Sequence, residues 1–201
     1  MKTIYLIRHG EKVRESGDVR LTEIGRSQAK FTGRFLSQFN IDKILSSPST
    51  RAKETAKIIS KINNLSFSIR SRLKERINFG DIPIQSYYDY MRLCDLSSLN
   101  RDFVLPNGES SISCGKRLEL VINSLQKSSF KHIVIVAHQG IFADYIRNVF
   151  SDNEIIDVYP KFFSKREQSF SNCSITTIDL KNNKTKLLKL GFNSHLSKLI
   201  S

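Results

Sequence analysis

The sequence predicts an α/β protein built on a mostly parallel sheet, and three observations carry the prediction. Two apolar, β-branched runs, Thr3-Ile4-Tyr5-Leu6-Ile7 and His132-Ile133-Val134-Ile135-Val136-Ala137, read as strands buried on both faces. Segments with apolar residues at helical spacing lie between the strand candidates, the alternation that places crossover helices on a parallel sheet. Two further short strands, 174–180 and 185–190, flank Asn182-Asn183 and close the chain as a hairpin. At 201 residues, with 39% hydrophobic and 25% charged residues, the chain is one domain over 1–201 with room for an insertion, and wholesale disorder is excluded.

Taken in order, the first strand stops at Arg8-His9-Gly10-Glu11. A polar loop over 12–20 contains Gly17-Asp18. Thr22 is the expected N-cap of a helix carrying Ile24, Phe31, Phe35, Leu36 and Phe39 near one face. Gly25 falls in its first turn, where it costs stability relative to Ala, so it is read as a close approach of the helix to a loop or ligand. Residues 43–46 form a second strand. Ser47 is the expected cap and Pro48 the first residue of a helix running through Ala52, Ala56, Ile59 and Ile62. Arg51 then lies in the first turn, where backbone N–H groups and the helix dipole favour an anion. Residues 65–69 are a third strand. A segment from about 72 to 107 is an insertion of the kind that covers a site and sets its specificity. It holds a helix over 85–96, in which Tyr87 and Tyr88 are expected to pack, and a loop over 97–107. A helix over 109–128 precedes the strand at 132–137. That strand ends in His138-Gln139-Gly140, and a helix carrying Ile141, Tyr145, Ile146 and Val149 follows. A basic, Phe-rich loop spans 161–170.

Composition narrows the function. Lys and Arg number 32 against 19 Asp and Glu, a net charge of +13 that favours anionic partners. No block of five or six basic residues occurs, so no nucleic-acid partner is expected. Cys94, Cys114 and Cys173 are odd in number, far apart and without metal-ligand spacing, so neither a zinc site nor a disulfide framework is expected, and a reducing, cytoplasmic setting fits. The first apolar run is broken at Arg8 and reads as a strand rather than a signal peptide. No stretch is long enough to span a membrane, and no repeat or linker is present.

Two strands that both end in a histidine would, in one parallel sheet, deliver His9 and His138 to the same edge, with Arg8 and Arg51 beside them. Open α/β sheets bind ligands at that edge. Arginine forks suit phosphate oxygens, and imidazole is a competent nucleophile near neutral pH. Two histidines and two arginines together make a phosphoryl site. His132 and His195 lack such surroundings.

Seven ordered pieces carry a family resemblance: Arg8-His9-Gly10-Glu11; Leu21-Thr22-Glu23-Ile24-Gly25 with Gln28-Ala29; Ser46-Ser47-Pro48-Ser49-Thr50-Arg51-Ala52 with Glu54-Thr55-Ala56; Leu73-Lys74-Glu75 with Phe79-Gly80; Asn107-Gly108-Glu109-Ser110; Val136-Ala137-His138; and Asn172-Cys173-Ser174-Ile175-Thr176. On these the chain resembles the histidine phosphatase superfamily, the phosphoglycerate mutase-like proteins. The resemblance implies a three-layer α/β/α sandwich. It implies a metal-free and cofactor-free phosphomonoesterase in which His9 becomes a phosphohistidine, Arg8 and Arg51 clamp phosphate, His138 donates to the phosphoryl oxygens and Glu75 is the proton donor. Such a donor must be protonated to assist a leaving alkoxide, and a hydrogen bond should fix the His9 tautomer. Lys12 stands where Ser or Thr is usual, and Gln139 where Gly is commoner. With Thr22 they are candidate substrate contacts. The usual Glu-Gly after Gly80 is missing, which leaves Asp81 and Glu109 as substitute acids. The expected partner is a small phosphorylated anion, with phosphate or sulfate as an occupant of the site. A phosphoglycerate mutase, or a non-catalytic phosphate-binding protein on the same fold, is the alternative reading.

Overall fold

The computed structural model describes residues 1–82, 86–164, 169–182 and 184–199. Its sheet has six strands: β1 (Lys2–Arg8), β2 (Lys43–Ser46), β3 (Phe67–Ile69), β4 (His132–Ala137), β5 (Ile175–Lys181) and β6 (Lys184–Phe192). They lie in the order β3-β2-β4-β1-β5-β6. The first four are mutually parallel, and β5 and β6 close one side as an antiparallel pair. Helices α1 (Glu23–Leu36) and α2 (Thr50–Ile62) cover one face. Helix α3 (Tyr87–Leu99) lies in the insertion. Helices α4 (Ser111–Gln126), α5 (Gln139–Val149) and α6 (Asp152–Val158) follow, and these last three pack on the other face. This is the three-layer sandwich that the resemblance implied.

The period of two along the central strands builds both cores. On β1, Ile4 and Leu6 enter the layer of α4 and α5, while Tyr5 and Ile7 enter that of α1 and α2. On β4, Ile133, Ile135 and Ala137 take the first side and Val134 and Val136 the second. All are essentially fully buried, each aliphatic side chain contributing about 1.5–3 kcal/mol. A charged residue at Val134 would break the second layer.

Several expected boundaries move. Helix α2 begins at Thr50 with Ser49 as N-cap, not at Ser47-Pro48. The reason is that Ser47 still belongs to the sheet edge: its N–H donates to Val136 O at 2.9 Å. Helix α3 extends to Leu99, into the expected loop, and Ser86 caps it by accepting from Asp89 N. Tyr88 is 75% exposed and makes no ring contact among the described residues, whereas Tyr87 meets its i, i+3 neighbour Tyr90 with ring centroids 5.8 Å apart. Ser110 is the N-cap of α4. Helix α6 was not anticipated; its signal is the reciprocal capping box of Ser151 and Glu154. Residues 83–85, 165–168 and 183 lie outside the described residues, and with them part of the expected insertion, basic loop and hairpin turn.

Gly25 is a close approach, to a loop rather than a ligand. A Cβ there would collide with Glu11 O, and one on Gly10 would meet Gly25 O at 2.5 Å. The segment after β1 therefore rests directly on the backbone of α1.

Candidate active site

Strand register assembles the site. Arg8 pairs with Ala137 across β1 and β4, so the next residue of each strand is a histidine at the same edge. The His9 and His138 rings lie 5.2 Å apart, edge to face. Ser46 pairs with Val136, so β2 delivers Ser47 beside His138. Three neighbouring strand ends thus supply Ser47, His138 and His9, all buried.

Hydrogen bonds assign the tautomers. His9 Nδ1 donates to Gly10 O at 2.7 Å, so Nε2 carries a lone pair, which accepts from Arg51 Nε at 3.1 Å. This is the fixed tautomer that the sequence reading required of a nucleophile. His138 Nδ1 accepts from Arg51 Nη2 at 3.2 Å, and its Nε2 donates to Ser47 Oγ at 2.8 Å. Burial, then the positive charges of Arg51 and Arg8, hold His9 well below the usual imidazole range; burial, Arg51, His9 and Arg8 do the same for His138. Both shifts favour the neutral ring.

The cations are only weakly answered. Arg51 is buried at the start of α2, reaches Asn78 Oδ1 at 2.5 Å and lies 3.9 Å from Asp18. Arg8 donates through Nη1 to Phe170 O at 2.6 Å, and its buried Nε finds no acceptor among the described residues. Burial lowers the proton affinity of both guanidiniums, with Glu75 the leading opposing charge at each. Lys12 is half-buried and is depressed by burial and by both arginines, so it faces the same space. Part of the expected anion seat at α2 is already taken: Asp18 accepts from Thr50 N at 2.7 Å and from Thr50 Oγ1 at 2.8 Å.

Glu75 sits on the first turn of α5, accepting from Gly140 N at 2.9 Å and from Ile141 N at 3.0 Å. It lines a cleft of about 580 Å³ beside Ser49 and Asn78, and the other two candidate acids, Asp81 and Glu109, line the same cleft farther along. Asp81 accepts from Asn78 N and Nδ2, and Glu109 is clamped by Arg117 Nε at 2.9 and 3.0 Å. Gln139 opens α5. Thr22 is committed elsewhere: its hydroxyl donates to Glu11 Oε1 at 2.8 Å and accepts from Gly25 N at 3.0 Å, which leaves no proton for an anion.

The remaining motif residues form the frame. Gln28 accepts from Glu11 N, Thr55 from Gly10 N, and Asn172 Nδ2 donates to His9 O. Sequence reasoning missed Ser47 as a partner of His138, and missed Asn78. The signal for Ser47 was its place one residue past a strand adjacent to β4. His132 and His195 lie apart, His132 stacked on Tyr5 and His195 between Phe35 and Phe192. No group of metal-binding side chains occurs among the described residues, and none of their helices is long and apolar enough to cross a membrane.

Comparison with known proteins agrees. The uncharacterized phosphatase PhoE of Bacillus subtilis is 28% identical over 208 residues, covering all of both chains. The Yersinia pestis protein named Probable phosphoglycerate mutase GpmB is 30% identical over 151 residues, 69% of this chain and 70% of that one. The crystal structure of an Entamoeba histolytica phosphoserine phosphatase variant with phosphoserine superposes with a TM-score of 0.73 at 22% identity, over 98% of this chain and 100% of the other. The family model described as histidine phosphatase superfamily (branch 1) matches residues 4–193. The chain belongs to that superfamily, and phosphomonoester hydrolysis is its class of activity.

Proposed function

We propose that the protein moves the phosphoryl group of a small phosphorylated substrate to His9 Nε2 and then to water. The observation that carries the proposal is the Nε2 lone pair of a buried, neutral His9 held beside two under-compensated arginines. Phosphoryl transfer asks mainly for positioning and charge stabilisation. In this reading Arg8 and Arg51 take the equatorial oxygens, with Lys12 adding charge and Gln139 an amide. The dianion raises the proton affinity of His138, whose Nδ1 then donates instead of accepting.

As Nε2 bonds to phosphorus, the P–O bond breaks with its electron pair on the leaving oxygen, which takes the Glu75 proton. Water then attacks the phosphohistidine, gives its proton to Glu75 and releases phosphate and the imidazole lone pair. Glu75 is preferred to Asp81 and Glu109 because it is the leading opposing charge at both Arg8 and Arg51, whereas Glu109 is clamped by Arg117. The leaving group occupies the cleft, whose walls carry both signs of charge, such as Asp18 and Lys74. A polar, compact alcohol fits it better than a second phosphate. The Entamoeba neighbour's phosphoserine is of that kind.

The name of the Yersinia relative favours a second reading, in which a substrate hydroxyl replaces water as acceptor. Phosphate release from a panel of aryl and alkyl phosphomonoesters, run beside a coupled phosphoglycerate interconversion assay, tests both. Release by the protein with loss of at least about 10³-fold in His9→Ala is expected. No release by the wild type, or undiminished release by His9→Ala, would overturn the reading. Interconversion faster than release would favour the mutase.

A further inference from the structure

We infer that Gly140 is the positioning residue for the proton donor, so that the first turn of α5 sets Glu75 and His138 together; the inference rests on the hydrolytic reading above. Helix α5 starts one residue after His138, its N-cap. Its N–H groups at Gly140 and Ile141 hold the two oxygens of Glu75, Oε2 and Oε1 respectively. Oε1 also accepts from Arg76 N at 2.9 Å, which fills its two lone-pair positions. Oε2 accepts one bond and keeps a lone pair, so Oε2 is the oxygen that carries the transferred proton.

This seat exists because residue 140 has no side chain. A Cβ there would lie 2.5 Å from Glu75 Oε1, 3.0 Å from Cδ and 3.2 Å from Oε2, and these are its three nearest neighbours. A methyl group would therefore push against the carboxylate first, at the far end of a side chain that can swing away. The substitution evicts the donor and leaves the N–H groups of Gly140, Ile141 and Arg76 to water, a cost that the better helix propensity of alanine partly offsets. The steric demand falls one residue beyond position 139, where the sequence shows its departure from the family.

The test is a leaving-group comparison. An aryl phosphate leaves with little help from an acid, whereas an alkyl phosphate needs the proton. Gly140→Ala should lose at least tenfold more kcat on an alkyl ester than on p-nitrophenyl phosphate, as Glu75→Gln should, and the double variant should be no worse than Glu75→Gln alone. Glu75→Asp shortens the side chain and makes room for the methyl group, so Gly140→Ala/Glu75→Asp should regain alkyl turnover over Gly140→Ala. Equal loss on both esters, or no regain, would overturn the inference. If Gly140→Ala fails to fold, rescue of folding by Glu75→Asp supports it, and failure of both variants to fold refutes it. A wild type inactive on both esters would instead sink the hydrolytic reading.

Discussion

The protein uses buried and half-buried arginines in two places, and they are built in opposite ways. In the segment between β3 and α4, Arg76 pairs with Asp144 at 3.2 Å and donates to Cys94 O and Ser98 Oγ of α3. Arg101 donates to the carbonyls of Asp144 and Arg147, and Arg147 returns a bond to Ser98 O. These bonds staple α3, which buries only Ser97, onto α5. At the candidate site, Arg8 forms no ion pair among the described residues and Arg51 has only the distant Asp18. Burial lowers the proton affinity of Arg8 and Arg51, whereas at Arg76 burial is offset by Asp144 and Glu75 acting together, and the proton affinity rises. A buried arginine answered by a carboxylate is a fastener. One with no close carboxylate among the described residues is open to an incoming anion, at some cost in stability.

That contrast predicts a double dissociation. The largest effect is on activity at Arg51: Arg51→Lys replaces a fork with a point charge and should cut kcat/KM by about 10²–10³-fold. Its Tm should fall by less than that of Asp144→Ala, because Arg51 has no close ion pair to lose and lysine keeps the charge. On α5, Asp144→Ala leaves Arg76 charged, buried and without its ion pair, and should cost about 3–5 kcal/mol of stability by denaturant unfolding. The remaining folded molecules should keep most of their turnover. If Arg51→Lys destabilises as much as Asp144→Ala, the distinction between the two sets of arginines is wrong.

Smaller effects sharpen the electrostatic half. His9 and His138 are neutral and depressed in the folded protein, so the unfolded chain binds more protons below about pH 6.5. Their contribution to stability is complete above that pH and declines as pH falls towards their folded values, which a denaturation series across pH 4–7 would register. Under the proposed function, bound phosphate should reverse the balance at His138. Titration calorimetry in buffers of differing ionisation enthalpy should show uptake of up to about one proton per phosphate at pH 7. Proton release on binding would contradict the assignment of His138 as a neutral acceptor that becomes a donor.

The two regions also differed in how far the sequence revealed them. The pocket was legible because it hangs on strands: β1 and β4 announce themselves by β-branched runs, and a parallel register carries His9 and His138 to one edge without any side-chain detail. Thr22 was legible as a cap, yet its hydroxyl turned out to be committed to Glu11. Ser47 was misread as a cap because it precedes proline, a local signal that the ladder bond to Val136 O overrides. In the cover, α3 has no strong apolar stripe, so its C-terminal end and the outward face of Tyr88 could not be read from periodicity. The seat of Glu75 on α5 joins residues 65 apart and depends on the room left by Gly140, which no pattern in one sequence displays.

The central claim is covalent, and trapping tests it directly. Mixing the protein with a ³²P-labelled phosphomonoester and quenching in alkali within the first turnovers should leave label on the protein. That label should survive base, be lost in acid and map to the peptide containing His9, and it should be absent from His9→Ala. Turnover with no base-stable label, or an unchanged label in His9→Ala, would contradict it.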